Sequence, residues 1–189
     1  MSAARSAERD ENVALHEAGH AVIARIFGHG IDHASIEGSE LYDGTVKRAR
    51  GERDDRYPVP DFEVWELITI SLAGDLAARV LGDVDTDPQD VGLLPANPDD
   101  NYDFALAHDG DAAAVWQFAS STCGDEEECS ALVAWLTART RNLVRLHADA
   151  IRAVVASLRA RRVLTRLEID ELLAASDISI GERGEHFQR

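Results

Sequence analysis

Hydrophobic and polar positions alternate along this chain mostly with a helical period. Val13, His16, His20, Ile23 and Phe27 fall on one face of a segment from Ala7 to Phe27, and Gly28 and Gly30 stop it. "HASIEG" (33–38) and "YDGTVKRA" (42–49) read as two short strands. The charged stretch 51–60, with two prolines, reads as a loop. "DFEVWELITISLAGDLAARVLG" (61–82) is apolar on most sides, which predicts a buried helix. Residues 83–101, rich in Asp, Pro, Gly and Asn, are a long loop, and loops of that length are often functional. A helical stretch begins near Tyr102, breaks at "HDGD" (108–111) and resumes over Ala112–Ser120.

The longest predicted helix starts after Asp125, with Glu128 completing a capping box. Leu132, Leu136, Leu143, Leu146, Ala150, Val154 and Leu158 carry its apolar face without interruption. A last short helix opens at "TRLE", where Thr165 and Glu168 form another cap signature. Residues 1–8 and 177–189 read as frayed tails of a single domain spanning 1–189. The expected class is mainly α, with a small β-sheet near the N-terminal third.

Charge narrows the partners. Thirty-five acids face 19 Lys and Arg, a formal net charge of −16. Such a chain repels nucleic acid and anionic lipid, so neither is expected as a partner. No apolar run approaches the roughly 20 residues of a membrane span. "MSAARSAERDEN" has no apolar core of a signal peptide, and a cytoplasmic location is expected. Cys123 and Cys129 in "CGDEEEC" lack the spacing of a zinc pair and read as ordinary thiols.

The chemistry concentrates in "NVALHEAGHAVIA" (12–24). His16 and His20, four apart on a helix, can aim two imidazoles at one metal ion. Glu17 is rotated about a quarter turn away, so it flanks the metal without ligating it. Zinc lowers the pKa of a water it holds to about 7, and a flanking carboxylate can take that proton and pass it to a leaving amine. These are the mechanics of the His-Glu-x-x-His metalloproteases. Ala18 and Gly19 fill the rest of the turn and leave room near the metal. Gly19 costs about 1 kcal/mol relative to alanine in a helix interior, so its place there implies a need for space. A third His six residues past the second would mark another zinc class, but that position is Ile26. Glu63 or Glu66, on the next helix, are alternative third ligands. His29, His33, His108, His147 and His186 carry no comparable pattern.

"VALHEAGHAVIARIFG" (13–28) closely resembles the metal-binding helix of the FtsH family of membrane-anchored, ATP-dependent zinc proteases. "SLAGDLAARVLG" resembles that family's "LAGRAAE" segment, "NYDFALA" its "SNDLxxA" segment, and "LTRLEIDELL" its closing turn and helix. The four occur in the same order over roughly residues 10–175. The resemblance implies an FtsH-peptidase-like metallopeptidase fold with Zn2+ held by His16, His20 and Asp103, and Glu17 as general base. Ala78 stands where the family segment ends in glutamate, so a role of that acid is not carried over.

The ATPase module and membrane anchors are missing, and no Gly-Lys-Ser/Thr phosphate loop occurs, so a stand-alone peptidase is expected. The expected activity is ATP-independent hydrolysis of unfolded or extended polypeptides. Such a peptide would add along a free sheet edge, with the "HASIEG" strand as a candidate. The competing expectation is a non-catalytic binding module with a structural or vestigial zinc. The oligomeric state is not legible.

Overall fold

A computed structural model describes residues 3–37, 44–48, 61–82 and 110–181. Six helices and a three-stranded sheet are formed among them. In chain order they are α1 (Ala3–Ile26), β1 (Ile31–Ser35), β2 (Thr45–Arg48), α2 (Asp61–Leu81), α3 (Asp111–Ser120), α4 (Glu126–Leu146), α5 (Ala148–Arg161), β3 (Val163–Thr165) and α6 (Arg166–Ala175). The mainly helical class with a small sheet is what the periodicity predicts. None of the described helices is long and apolar enough to cross a membrane.

The core is built around α1 and α2. Ala14, Leu15, Ala18 and Ala21–Ala24 of α1 are buried, as are Ile68, Leu72, Ala73, Leu76 and Ala77 of α2. Small side chains at this crossing let the two backbones approach closely. Gly19 is the tightest point: a Cβ there would stand 2.4 Å from the Ala73 carbonyl oxygen and 2.7 Å from Ala77 Cβ. The glycine therefore serves the packing of α2 on α1. It ends no helix and opens no space for a metal, contrary to the expectation from its position in the motif. α5 covers another side of α1, while α4 and α3 pack on α2.

Three sequence expectations are corrected. The first helix begins at Ala3, a turn earlier than its apolar face suggests. The helix expected from Asp125 through Leu158 is two helices, broken at His147 (φ −105°, ψ 22°). Leu146, which the uninterrupted pattern assigns to the core, is 75 % exposed at the break. The apolar spacing survives because Val133, Leu136 and Val144 of α4 and Ile151, Val154 and Leu158 of α5 all reach one core, each from its own axis. The third correction is β3. This three-residue strand is too short to show an alternating pattern, yet it pairs antiparallel with β1, Ala34 facing Leu164. Since β2 pairs with the other side of β1, Ala34 also facing Val46, the order is β2-β1-β3. The "HASIEG" strand is thus central and offers no free edge.

Local signals place the ends of several elements. The Asp125 side chain accepts from Glu128 N at 2.8 Å and caps α4, with Glu126–Glu128 complementing the helix dipole. Glu128 itself accepts from Gly124 N. Thr165 and Glu168 form a complete capping box on α6. Gly28, at φ 77°, turns the chain out of α1 toward β1 in a conformation that favours glycine. Arg25, 4 % exposed, ties α1 to α6 through two bonds to Asp170, at 2.6 and 3.0 Å. Cys123 and Cys129 are free thiols. Burial pushes the Cys123 thiol up to about 12, the neighbouring Cys129 adding to it, so it is a poor nucleophile.

Gly19→Ala separates two opposing effects. Helix propensity favours alanine by about 1 kcal/mol. The added methyl meets a backbone carbonyl that cannot rotate away, and overpacking of this kind costs about 1–3 kcal/mol. The variant is expected to be less stable than wild type, read as a lower urea midpoint at unchanged slope; a higher midpoint would show that the helices separate freely.

Candidate metal centre

The buried half of α1 carries His16 and His20 one turn apart, with His20 nearly enclosed and His16 half-buried. The first residue of α3, Asp111, meets them. His16 Nε2 and His20 Nε2 are 2.9 Å apart, and Asp111 Oδ2 lies 3.0 Å from the first and 2.9 Å from the second. These three atoms make a nearly equilateral triangle. Ligand atoms around a tetrahedral zinc with bonds of about 2.0–2.1 Å stand about 3.3 Å apart, so the triangle needs only slight opening to receive one. Among the described residues, His16, His20 and Asp111 form a group that can hold a metal ion.

The donor chemistry fits a cation. His20 Nδ1 lies 2.7 Å from the Ile70 carbonyl oxygen, which can only accept, so Nδ1 carries the proton. In the neutral ring, Nε2 then presents a bare lone pair to the triangle. Asp111 presents a second lone pair and His16 Nε2 faces both. Three such atoms at this spacing repel unless a positive charge lies among them. Without a metal that charge is a proton on His16. Burial alone would lower its pKa, but the contacts with Asp111 and Asp75 prevail and raise it to about 10. Burial would raise the Asp111 carboxyl, yet the two histidines hold it well below the usual range.

Helix α2 forms the floor. Gly74 lies directly against both rings: a Cβ there would stand 2.3 Å from His20 Nε2 and 2.8 Å from His16 Nε2. Any side chain at 74 would fill the space at the donor atoms. Asp75 Oδ1 stands 3.4 Å from His16 Nδ1. Its carboxyl is held below the usual range, chiefly by His16.

Glu17 is 5 % exposed beside the histidines. Burial raises its pKa, and the imidazoles of His20 and His16 counteract part of that rise. Gly44, at the entrance to β2, passes over this carboxylate: a Cβ there would lie 2.7 Å from Glu17 Oε1. The sheet edge nearest Glu17 is therefore β2, and not the strand singled out from the sequence.

Asp103 lies outside the described residues, as do His108 and His186. Glu66 faces His29 at 3.0 Å and so has a different partner from the one a zinc ligand would need. Glu63 is half-buried and is not in the group. Asp111 is absent from the sequence-based candidates. It sits in "HDGD", which reads as a helix break, and an acid in the first turn of a helix has an ordinary explanation in the helix dipole. The one available signal is that this break precedes a short apolar helix.

No family model matches the chain, and no curated protein matches it.

Asp111→Ala removes one of three donor atoms and is expected to weaken Zn2+ binding at least tenfold, measured by competition with a chromophoric chelator. Asp103→Ala is the parallel variant, because the family resemblance assigns the third ligand there. Loss with Asp103→Ala and none with Asp111→Ala would return the role to Asp103. The pH dependence has a defined sign. A metal must displace the proton that His16 keeps up to about 10. Affinity should therefore rise with pH between 6 and 9, up to about tenfold per unit, with proton release measurable by calorimetry in buffers of different ionisation enthalpy. A flat profile would show that His16 carries no proton to displace over that range.

Proposed function

We propose that the protein is a zinc-dependent endopeptidase acting on unfolded or extended polypeptides without ATP. The observation that carries this reading is the convergence of His16 Nε2, His20 Nε2 and Asp111 Oδ2 on one point, with the Glu17 carboxylate alongside. Two imidazoles and one carboxylate suit zinc, and three protein ligands with an open position mark a catalytic site, whereas a structural site is closed by a fourth. The described donor group has three members. The resemblance of residues 13–28 and 71–82 to the FtsH peptidase supports the same reading, since Gly74 of the second segment packs on the histidines of the first.

A zinc ion, when bound, supplies the Lewis acidity that makes water nucleophilic near neutral pH. The chain's own groups do the rest. His16, His20 and Asp111 hold and orient. Glu17 takes a proton from the attacking water and delivers it to the leaving amine nitrogen. The enclosure of Glu17 keeps bulk water from competing for the proton. An extended peptide laid along β2 would pass beside this carboxylate, held by main-chain hydrogen bonds that are indifferent to sequence. A stably folded protein rarely frees a segment to lie there without unfolding, which favours unfolded or short chains as substrates.

Glu17→Gln keeps the shape of the side chain and removes its ability to take a proton. The variant should retain zinc at wild-type stoichiometry while hydrolysis of an unfolded protein such as casein falls by about 10²-fold or more. A zinc chelator should abolish wild-type cleavage, and ATP should leave it unchanged. Near-normal cleavage by Glu17→Gln would remove Glu17 from the mechanism. Full zinc occupancy with no turnover in wild type would instead favour a binding module with a structural metal.

A further inference from the structure

The two histidines share a helix, yet their outer nitrogens meet different partners. His20 Nδ1 is held by a backbone oxygen of α2, Ile70 O at 2.7 Å. His16 Nδ1 faces a side-chain carboxylate of α2, Asp75 Oδ1 at 3.4 Å. Between these residues in sequence lies Gly74, against the inner edges of both rings. One stretch of α2 thus reaches the outer nitrogens of both imidazoles and clears the space at their inner ones, while contributing no ligand to the group. We propose that Asp75 is a positioning residue of the metal centre: it accepts the Nδ1 proton of His16, fixes the tautomer that leaves Nε2 bare, and completes the charge balance of a divalent ion. The proposal rests on the reading of His16, His20 and Asp111 as that centre.

Two physical points support it. A neutral imidazole that ligates through Nε2 must carry its proton on Nδ1, and an acceptor there sets ring orientation and raises donor strength. For His20 the Ile70 carbonyl does this at 2.7 Å; for His16 the group of α2 that faces Nδ1 is the Asp75 carboxylate, at 3.4 Å. Charge balance is the second point. Asp111 alone leaves a divalent ion with one uncompensated positive charge in a largely enclosed site. Asp75 supplies the second negative charge from outside the ligand set, with its side chain 38 % exposed and so partly hydrated. Glu17 is then not needed to neutralise the ion and is left as the base.

The test uses the full chain, Zn2+ affinity by chelator competition, and the visible absorption of the Co2+ form. Asp75→Ala should weaken Zn2+ binding by about 10–100-fold, the range for removing a partner of a ligating histidine. Asp75→Asn, whose amide oxygen still accepts but carries no charge, should recover part of that loss. Both should shift the Co2+ bands, while the metal-free variants still unfold cooperatively and lose only the stability contributed by the Asp75–His16 pair. An Asp75→Ala variant within threefold of wild type, with the same Co2+ spectrum, overturns the proposal. So does a loss accompanied in both variants by non-cooperative unfolding of the metal-free protein, since that marks a structural role. If wild type itself takes up no Zn2+, the metal centre falls, and the role of Asp75 with it.

Discussion

Everything at the candidate site depends on how closely α1 and α2 approach. Gly19 lets the Ala73 carbonyl come nearer than a methyl would permit, and Gly74 does the same for the two imidazoles on the opposite helix. The two glycines face across one crossing: α1 gives up a side chain to admit the backbone of α2, and α2 gives one up to admit the rings of α1. Each costs about 1 kcal/mol in helix propensity. The burial of Ala18, Val22, Ile23, Leu72, Leu76 and Ala77 around the crossing offsets that cost, because each apolar side chain removed from water contributes about 1 kcal/mol or more. The same closeness brings the Ile70 carbonyl within 2.7 Å of His20 Nδ1. Helix packing therefore sets not only where the histidines are but which nitrogen of His20 carries a proton.

The centre is then an electrostatic problem with few solutions. Three donor atoms stand within 3.0 Å of one another in a half-enclosed space. A proton relieves their repulsion partly, by converting His16 to an imidazolium shared with Asp111 and His20. A divalent ion relieves it fully and satisfies all three lone pairs at once. The strong elevation of His16 and depression of Asp111 are two views of the same demand for positive charge. Glu17 sits just outside this group, and its burial acts in the opposite sense, making it readier to hold a proton. Neighbouring carboxylates are thus driven apart in acidity by their surroundings.

The sequence by itself determined the helix that bears the histidines. Their four-residue spacing puts His16 and His20 one turn apart on one face of it, and the caps at Asp125 and Thr165 locate two further helices for equally local reasons. Such features depend on residues within a turn or two of each other. What only the tertiary structure decided lies beyond that range. Asp111 is 91 residues from His20, and its carboxylate reaches the imidazoles only because α3 packs on α2. β3 exists because α5 delivers three residues to the open side of β1, and its own pattern is too short to announce it. The break at His147 is invisible to periodicity because two successive helices feed one core with compatible spacing. Gly19 shows the limit most plainly: the sequence marks it as a helix position that needs space, but only the packed structure shows that the space belongs to the backbone of α2 and that the room beside the metal site is provided by Gly74.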